Sequence, residues 1–480
     1  MYDVAIIGAG IVGSAVAYTL SNYDIKVVVI EKEDDVAKGT TRANSAIIHA
    51  GYDPKPESIM AKSNVRGSIL WKEIASSLNL EYIQTGSLVV AKNEEEHKVI
   101  IELYENGLAN SVEEIEVISA VRACEIEPNL KKDIFTALYA KTAAIINPYQ
   151  SCIAFCEYAI RNGTDFLMNS EVTAIARDED GYMISTRDHN IKAKYIVNAA
   201  GLYTEDIHIL AGGKGFGTRS VKGEYYLLDK TQGSFVSTVV FPVPSASGKG
   251  VLVGPTVHGN LLIGPTSEGE IEKDNTETTS IGLEAIRMQA SLLFDNLPFF
   301  DNIRNFAGNR AYIDSDDFVV ARSEELPDFI NLAGIKSPGL SSAPALAENV
   351  LELLESSGLN VKKKEMINEY RYTKRFAELT EDEQIEAVRN EPKHGRVICR
   401  CETVTEGDII SALSSSLTPA TVSAVKRRVN AGMGRCQGGF CSVRVHEIIS
   451  KYRKIPLEEV TLDGKDSYIV YGDTKKGGNS

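Results

Sequence analysis

The sequence predicts a mixed α/β fold, with a Rossmann-like unit at the N-terminus and a small cysteine-bearing module at the C-terminus. Two observations predict it. The glycines of Gly8-Ala9-Gly10-Ile11-Val12-Gly13 stand directly behind a short apolar run. Four cysteines, Cys399, Cys401, Cys436 and Cys441, fall in two close pairs in the last fifth of the chain. Glycines so spaced suit a dinucleotide, and paired thiolates suit a metal or iron–sulfur centre.

Residues 2–8 form a β-branched apolar run of the kind found in buried parallel strands. Residues 14–20 then read as a helix, and a second apolar run, residues 25–30, ends at Glu31, eighteen residues after Gly13. In such a βαβ unit Gly8 permits the tight turn and Gly10 lets backbone N–H groups approach a pyrophosphate. Gly13 lets the helix pack on the strand, and Glu31 accepts hydrogen bonds from ribose hydroxyls. An acid there disfavours a 2′-phosphate and hence NADP. The motif alone does not separate FAD from NAD.

Composition narrows the classes. The 480 residues allow two or three domains, and 43% hydrophobic with 24% charged residues describes a soluble globular chain. No apolar run approaches the roughly 18 residues that span a bilayer, and no cationic segment precedes an apolar one at the start. A cytoplasmic protein is expected, with any membrane association made through a partner subunit. The net charge of −15 argues against nucleic acid but not against a small anion held by a local cluster of cations. Cys124, Cys152 and Cys156 lie in helix-like apolar context and are expected to be reduced core thiols.

Two later segments favour FAD. Tyr195-Ile-Val-Asn-Ala-Ala-Gly201 reads as a buried strand ending in small residues that allow close passage of a nucleotide. Residues 328–350 read as a strand, a loop and an apolar helix from Ala343, with Ser341 or Ser342 as N-cap and Pro344 in the first turn. The positive end of that helix suits the negative N1–C2=O edge of a reduced flavin. Taken by itself, the same pattern is a well-capped helix and no more.

Residues 362–395 are highly charged and read as helices on a solvated linker ended by Pro392. Beyond them Cys399 and Cys401 lie on a short strand or loop, residues 406–415 read as helix, and Cys436 and Cys441 flank Gly438 and Gly439. Zinc is the main alternative for four cysteines, but its ligand pairs usually have two or more residues between them. The Cys-X-Cys and Cys-X4-Cys spacing resembles the bacterioferritin-associated-ferredoxin-like [2Fe-2S] module. Gly438 and Gly439 would let amide N–H groups reach the cluster sulfurs.

The whole chain resembles the D-amino-acid-oxidase-type FAD superfamily, and within it the anaerobic glycerol-3-phosphate dehydrogenase large-subunit group. The matching pieces are Gly8 to Gly13 with Glu31, Arg42-Ala-Asn-Ser-Ala-Ile-Ile-His49-Ala-Gly51, and Asn198-Ala-Ala-Gly201. With them go Lys222-Gly-Glu-Tyr225, Gly254-Pro-Thr256, Gly264-Pro-Thr266, Gly334-Ile-Lys336-Ser-Pro-Gly339 and the cysteine module. The resemblance implies an FAD-binding domain from residues 1–85, 145–220 and 325–360, interleaved with an antiparallel-sheet substrate domain from 86–144 and 221–324. A charged helical linker (361–395), a [2Fe-2S] domain (396–455) and a C-terminal extension (456–480) follow, with a mobile tail from Asp473 to Ser480.

It further implies FAD contacts at Gly8, Gly10, Gly13, Glu31, Thr41, Asn44, Ser45, Val172, Ala200, Gly201, Gly334, Lys336, Gly339, Leu340 and Ser341. The implied reaction moves hydride from an alcohol or amine carbon to the flavin, with His49 as base, as flavin tether or as a structural residue. Arg310, Lys336 and Arg322 are the candidates for holding an anion, and Tyr225 for bordering the pocket. One departure stands out. Relatives acting on glycerol 3-phosphate commonly carry arginine just after the His-X-Gly element, whereas this chain reads His49-Ala-Gly51-Tyr52-Asp53-Pro54. L-2-hydroxyglutarate dehydrogenases also carry His-Ala-Gly there, followed by aromatic and proline residues. The expected activity is oxidation of sn-glycerol 3-phosphate, with electrons passing through a [2Fe-2S] cluster to a second redox subunit. A 2-hydroxyacid dehydrogenase and a non-catalytic electron-transfer subunit are the alternatives.

Overall fold

The structure is a computed structural model that describes residues 1–244, 250–269 and 271–472. The tail expected at Asp473–Ser480 lies outside the described residues. The chain forms two compact units, one of residues 1–32 and 36–371, the other of residues 33–35 and 372–480.

The first unit contains two eight-stranded sheets. Strand β1 (Tyr2–Ile7) pairs in parallel with β2 (Val27–Ile30) and with strand Asn190–Asn198, which pairs in parallel with Phe329–Ala333. Strand Asp165–Leu167 extends the other side of β2. These central strands carry continuous Val and Ile because helices cover the sheet. Helix α1 (Ile11–Leu20) packs on helix Pro148–Arg161, and small side chains let the two approach closely. There Cys156 Sγ lies 3.1 Å from Ser14 Oγ, and Cys152 Sγ lies 3.4 Å from the Ala9 carbonyl. Cys152 and Cys156 are thus core residues, as their apolar context predicts, while Cys124 is partly buried.

The second sheet runs in the order 302–312, 219–228, 261–264, 252–255, 239–242, 87–91, 136–140 and 115–119. All its neighbours are antiparallel except strands Val239–Pro242 and Ser87–Ala91. Its core packs Leu88, Leu228, Val240, Val253 and Ile263 beneath helix Ser280–Ala290.

Two helices begin earlier than their side chains suggest. Helix α1 starts at Ile11 because Gly10 is extended and its carbonyl accepts from the Ser14 amide at 2.9 Å. The helix expected from Ala343 runs over Gly339–Ser356, with Pro338 as N-cap. Ser341 and Ser342 are therefore buried inside its first turns and cap nothing. Pro344 lies one turn further in, where its missing N–H leaves the Leu340 carbonyl without an intrahelical donor. The Trp71 indole N–H fills that gap at 2.8 Å.

In the second unit, strands Val397–Cys399 and Val404–Thr405 form a hairpin beside helices Glu406–Leu413, Val422–Val429 and Ser442–Arg453. Ile398, Ile409, Val425, Val445 and Ile449 make its core. Residues 33–35 belong here: Asp35 is 2% exposed and pairs with Arg427 at 2.8 Å and Arg428 at 2.9 Å. The charged stretch holds one α-helix, Glu381–Asn390, between 3-10 turns at Phe376–Glu378 and Pro392–Gly395; it is opened by a reciprocal Thr380–Glu383 capping box and has no buried residue. No described helix is long and apolar enough to cross a membrane.

Candidate active site and cysteine centre

At the C-terminal edge of the parallel sheet, Gly8 takes a φ of +103°, and a Cβ there would lie 2.6 Å from the Ala199 carbonyl oxygen. A Cβ on Gly13 would lie 2.0 Å from the Gly8 carbonyl oxygen, so strand, turn and helix close up only with hydrogen at both places. At Gly10 a Cβ would meet nothing nearer than Thr41 Oγ1 at 3.4 Å, which leaves room beside the first turn of α1. Glu31, at the end of β2, accepts from the Ala9 amide at 2.7 Å, and Thr41 Oγ1 accepts from the Ile11 amide at 2.9 Å. Ser170 N–H reaches the Glu31 carbonyl at 2.8 Å, which brings Val172, two residues on, to the same edge. Open space also surrounds Gly201. A glycine-lined cradle, a helix N-terminus and a carboxylate at the second strand's end fit a dinucleotide with unphosphorylated ribose.

The segment after Thr41 leads to a second group of the residues singled out in the sequence. Asn44 shapes its own loop: its amide donates to the Thr40 and Thr41 carbonyls and its oxygen accepts from Ala46 N–H. Ser45 Oγ lies 3.2 Å from the Tyr225 hydroxyl, and Tyr225 stacks on Phe306 with centroids 4.8 Å apart. Burial raises the Tyr225 phenol above its ordinary range, with Arg310 pulling against it. Phe306, Arg310 and Tyr312 alternate onto one face of strand Asn302–Tyr312. Arg310 donates to the Thr266 carbonyl at 2.5 Å, and the Lys336 ammonium stands 4.3 Å from the Tyr312 ring centroid. Arg310, Lys336, Tyr225 and Ser45 thus gather on one side.

His49 is placed by its backbone. Its N–H donates to Ser341 Oγ at 2.8 Å and its carbonyl accepts from Asn64 Nδ2 at 2.6 Å. Its Nε2 lies 3.4 Å from Ser337 Oγ, in the loop from Gly334 to Gly339 that also carries Lys336. Leu340 and Ser341, in the first turn of helix Gly339–Ser356, hold this corner through Trp71 and His49. A cleft opens beside it, lined by His49, Asp53, Asn64, Val89, Phe241 and Pro242. The acid that follows His49-Ala-Gly51 therefore faces the cleft, and the cations come from other strands and loops.

Arg322 is not brought to this group. It is exposed on strand Val319–Arg322 and reaches Ser356 Oγ at 3.4 Å. Ser356 ends the helix that begins at Gly339, about 26 Å away along the axis. Asn64 and Trp71 were missed in the sequence. Nothing local marks either, since their partners are 15 and 269 residues distant.

In the second unit the four thiols stand as two pairs. Cys401 and Cys436 have sulfurs 3.9 Å apart, and the Cys441 thiol hydrogen-bonds to Cys399. That bond, with the N–H groups of Gly432 and Glu402, draws the Cys399 thiol down to about 6 against the effect of burial. The N–H groups of Phe440 and Gly438 lower Cys436. Gly438 serves as predicted, but the Gly439 amide goes to the Cys436 carbonyl, and Gly432 and Phe440 supply N–H groups instead. Two thiol pairs with amides aimed at sulfur fit a binuclear iron–sulfur cluster with two thiolates per iron.

Residues 3–353 match the FAD dependent oxidoreductase family, and residues 397–451 match the BFD-like [2Fe-2S] binding domain. The chain belongs to the FAD-dependent oxidoreductases. Its cofactors are the FAD of that family and the cluster of the C-terminal domain. As a member of that family, it is 46% identical over 476 residues to a glycerol 3-phosphate dehydrogenase of Caloramator mitchellensis, covering 99% of both chains. The FAD-bound L-alpha-glycerophosphate oxidase of Mycoplasma pneumoniae superposes with a TM-score of 0.73 at 31% identity, over 77% of this chain and 98% of that one. Human mitochondrial L-2-hydroxyglutarate dehydrogenase is 33% identical over 55% of this chain and 61% of its own.

Proposed function

We propose that this oxidoreductase converts sn-glycerol 3-phosphate to dihydroxyacetone phosphate and passes the electrons through its [2Fe-2S] cluster to a separate acceptor. The observation that carries the reading is the 46% identity to a glycerol 3-phosphate dehydrogenase along the full chain, cysteine module included. FAD, when bound, would supply the hydride acceptor, and a cluster held by Cys399, Cys401, Cys436 and Cys441 would supply one-electron transfer.

The chain's own residues do the rest. His49 takes the hydroxyl proton, and the bonds from Ser341 and Asn64 to its main chain fix where its ring starts. Arg310 and Lys336 hold the phosphate. The guanidinium keeps donors for an anion beyond those Nη2 spends on the Thr266 and Lys222 carbonyls. Tyr225, buried against Phe306, borders the substrate. The first turn of helix Gly339–Ser356 would offer its positive end to the negative edge of a bound reduced flavin. The domain division given by the sequence, a second redox subunit as acceptor and a cytoplasmic location complete the proposal.

The 33% identity to human mitochondrial L-2-hydroxyglutarate dehydrogenase over 55% of this chain favours a second reading, a 2-hydroxyacid substrate such as L-2-hydroxyglutarate. Anaerobic turnover with an artificial two-electron dye separates the two. The proposal expects dihydroxyacetone phosphate from millimolar glycerol 3-phosphate and no turnover of L-2-hydroxyglutarate; the reverse pattern gives the site to the hydroxyacid.

A further inference from the structure

We infer that the rim of the cysteine module around Phe440 is the docking surface for an acidic protein that carries a one-electron centre. The inference rests on the reading that electrons leave through the cluster, and it names the chemistry of the acceptor.

Phe440 lies between Cys436 and Cys441, and its ring is 87% exposed. Val443, in the first turn of helix Ser442–Arg453, is 63% exposed, and Cys401 is exposed as well. A large aromatic ring held in water within one residue of a cluster ligand does nothing for the module's own core, which is built from Ile398, Val425, Val445 and Ile449. Buried under a partner, it is the kind of anchor that dominates an interface.

Charge selects the partner. Between residues 435 and 454 there are five basic side chains, Arg435, Arg444, Lys451, Arg453 and Lys454, against the single acid Glu447, in a chain of net charge −15. Arg400, between Cys399 and Cys401, is also exposed. An acidic carrier is repelled by the chain's net negative charge and attracted by this basic segment, which favours its docking at this rim. A basic carrier would be drawn to many other places on the surface. The electron count suits such a carrier. Oxidising the alcohol releases two electrons and two protons; two successive dockings reduce two one-electron centres, and the protons pass to solvent.

The test uses the holoenzyme reduced with dithionite, so that it runs whatever the substrate is. Oxidised plant-type [2Fe-2S] ferredoxin is the acidic probe and cytochrome c the basic one; binding and the rate of probe reduction are both followed. Binding of the acidic probe is expected to weaken steeply between 50 and 300 mM salt. It should weaken about tenfold in Arg444→Glu/Lys451→Glu and in Val443→Ser. The cluster's electron paramagnetic resonance signal and turnover with the small dye should stay as in the wild type. Equal binding of both probes, or acidic-probe binding indifferent to salt and to both variants, overturns the inference. Loss of dye turnover with glycerol 3-phosphate overturns the substrate reading instead.

Discussion

The indole N–H of Trp71 donates to the carbonyl of Leu340 at 2.8 Å, the acceptor that Pro344 cannot serve. Trp71 is fully buried and stacks on Phe155 at 5.3 Å, and a Cβ on Gly67, one turn before it, would meet the Ser341 carbonyl oxygen at 2.1 Å. Helix Ile59–Leu78 therefore sets the height of the turn that carries Leu340 and Ser341. Trp71→Phe keeps an aromatic ring against Phe155 but loses the indole N–H and strands the carbonyl, at a cost of at least about 1–3 kcal/mol. Chemical denaturation followed by circular dichroism should show that loss, with FAD released at lower denaturant. An unchanged midpoint would mean that water replaces the indole without penalty.

His49→Gln separates chemistry from architecture. Ser341 and Asn64 bind the main chain of residue 49, so the variant should retain FAD while flavin reduction slows by about 10²–10⁴-fold. Stopped-flow bleaching and flavin content measure the two quantities. Loss of bound FAD, or bleaching at the wild-type rate, contradicts a base at this position.

The two arginines should differ. Arg310→Met removes a cation from the face shared with Tyr225 and Lys336, and should weaken substrate binding about tenfold to a hundredfold, the equivalent of about 1.5–3 kcal/mol. Arg322→Met, at the far end of helix Gly339–Ser356, should leave KM and kcat within about twofold of the wild type. Equal effects from the two would place the anion elsewhere.

Burial alone would raise the carboxyl of Asp35, but Arg428 and Arg427 outweigh it and hold it down at about 2. A group depressed from 3.8 to about 2 on folding contributes stability that is present above pH 4 and lost as the pH falls through 2. Asp35→Asn should cost about 3 kcal/mol at pH 7, because it takes a buried carboxylate from Arg428 and from Arg427, which keeps its pairing with Asp463. Urea midpoints at pH 7 and pH 3 should show the gap between variant and wild type narrowing in acid. A gap that does not change with pH would assign the loss to packing.

Much of this was legible in the sequence because it is local. Gly8, Gly10, Gly13 and Glu31 lie in one βαβ unit, and the cysteine pairs sit within three and six residues, so spacing alone carries their geometry. The start of helix Gly339–Ser356 was not legible. Ser341 and Ser342 look like caps until Trp71 and His49, both distant in the chain, take up the Leu340 carbonyl and the Ser341 hydroxyl. Arg322 misled for a similar reason: a cation's residue type does not tell which end of a helix it will meet. Gly432 escaped notice because only the folded second unit turns its N–H toward Cys399.

Anaerobic titration with sn-glycerol 3-phosphate tests the central claim most directly, with the flavin absorbance and the electron paramagnetic resonance signal of the reduced cluster followed together. The account predicts that the flavin band bleaches at millimolar substrate and that a reduced [2Fe-2S] signal rises with it. A flavin that stays oxidised, or one that bleaches while no cluster signal appears in protein containing iron and acid-labile sulfide, would contradict it.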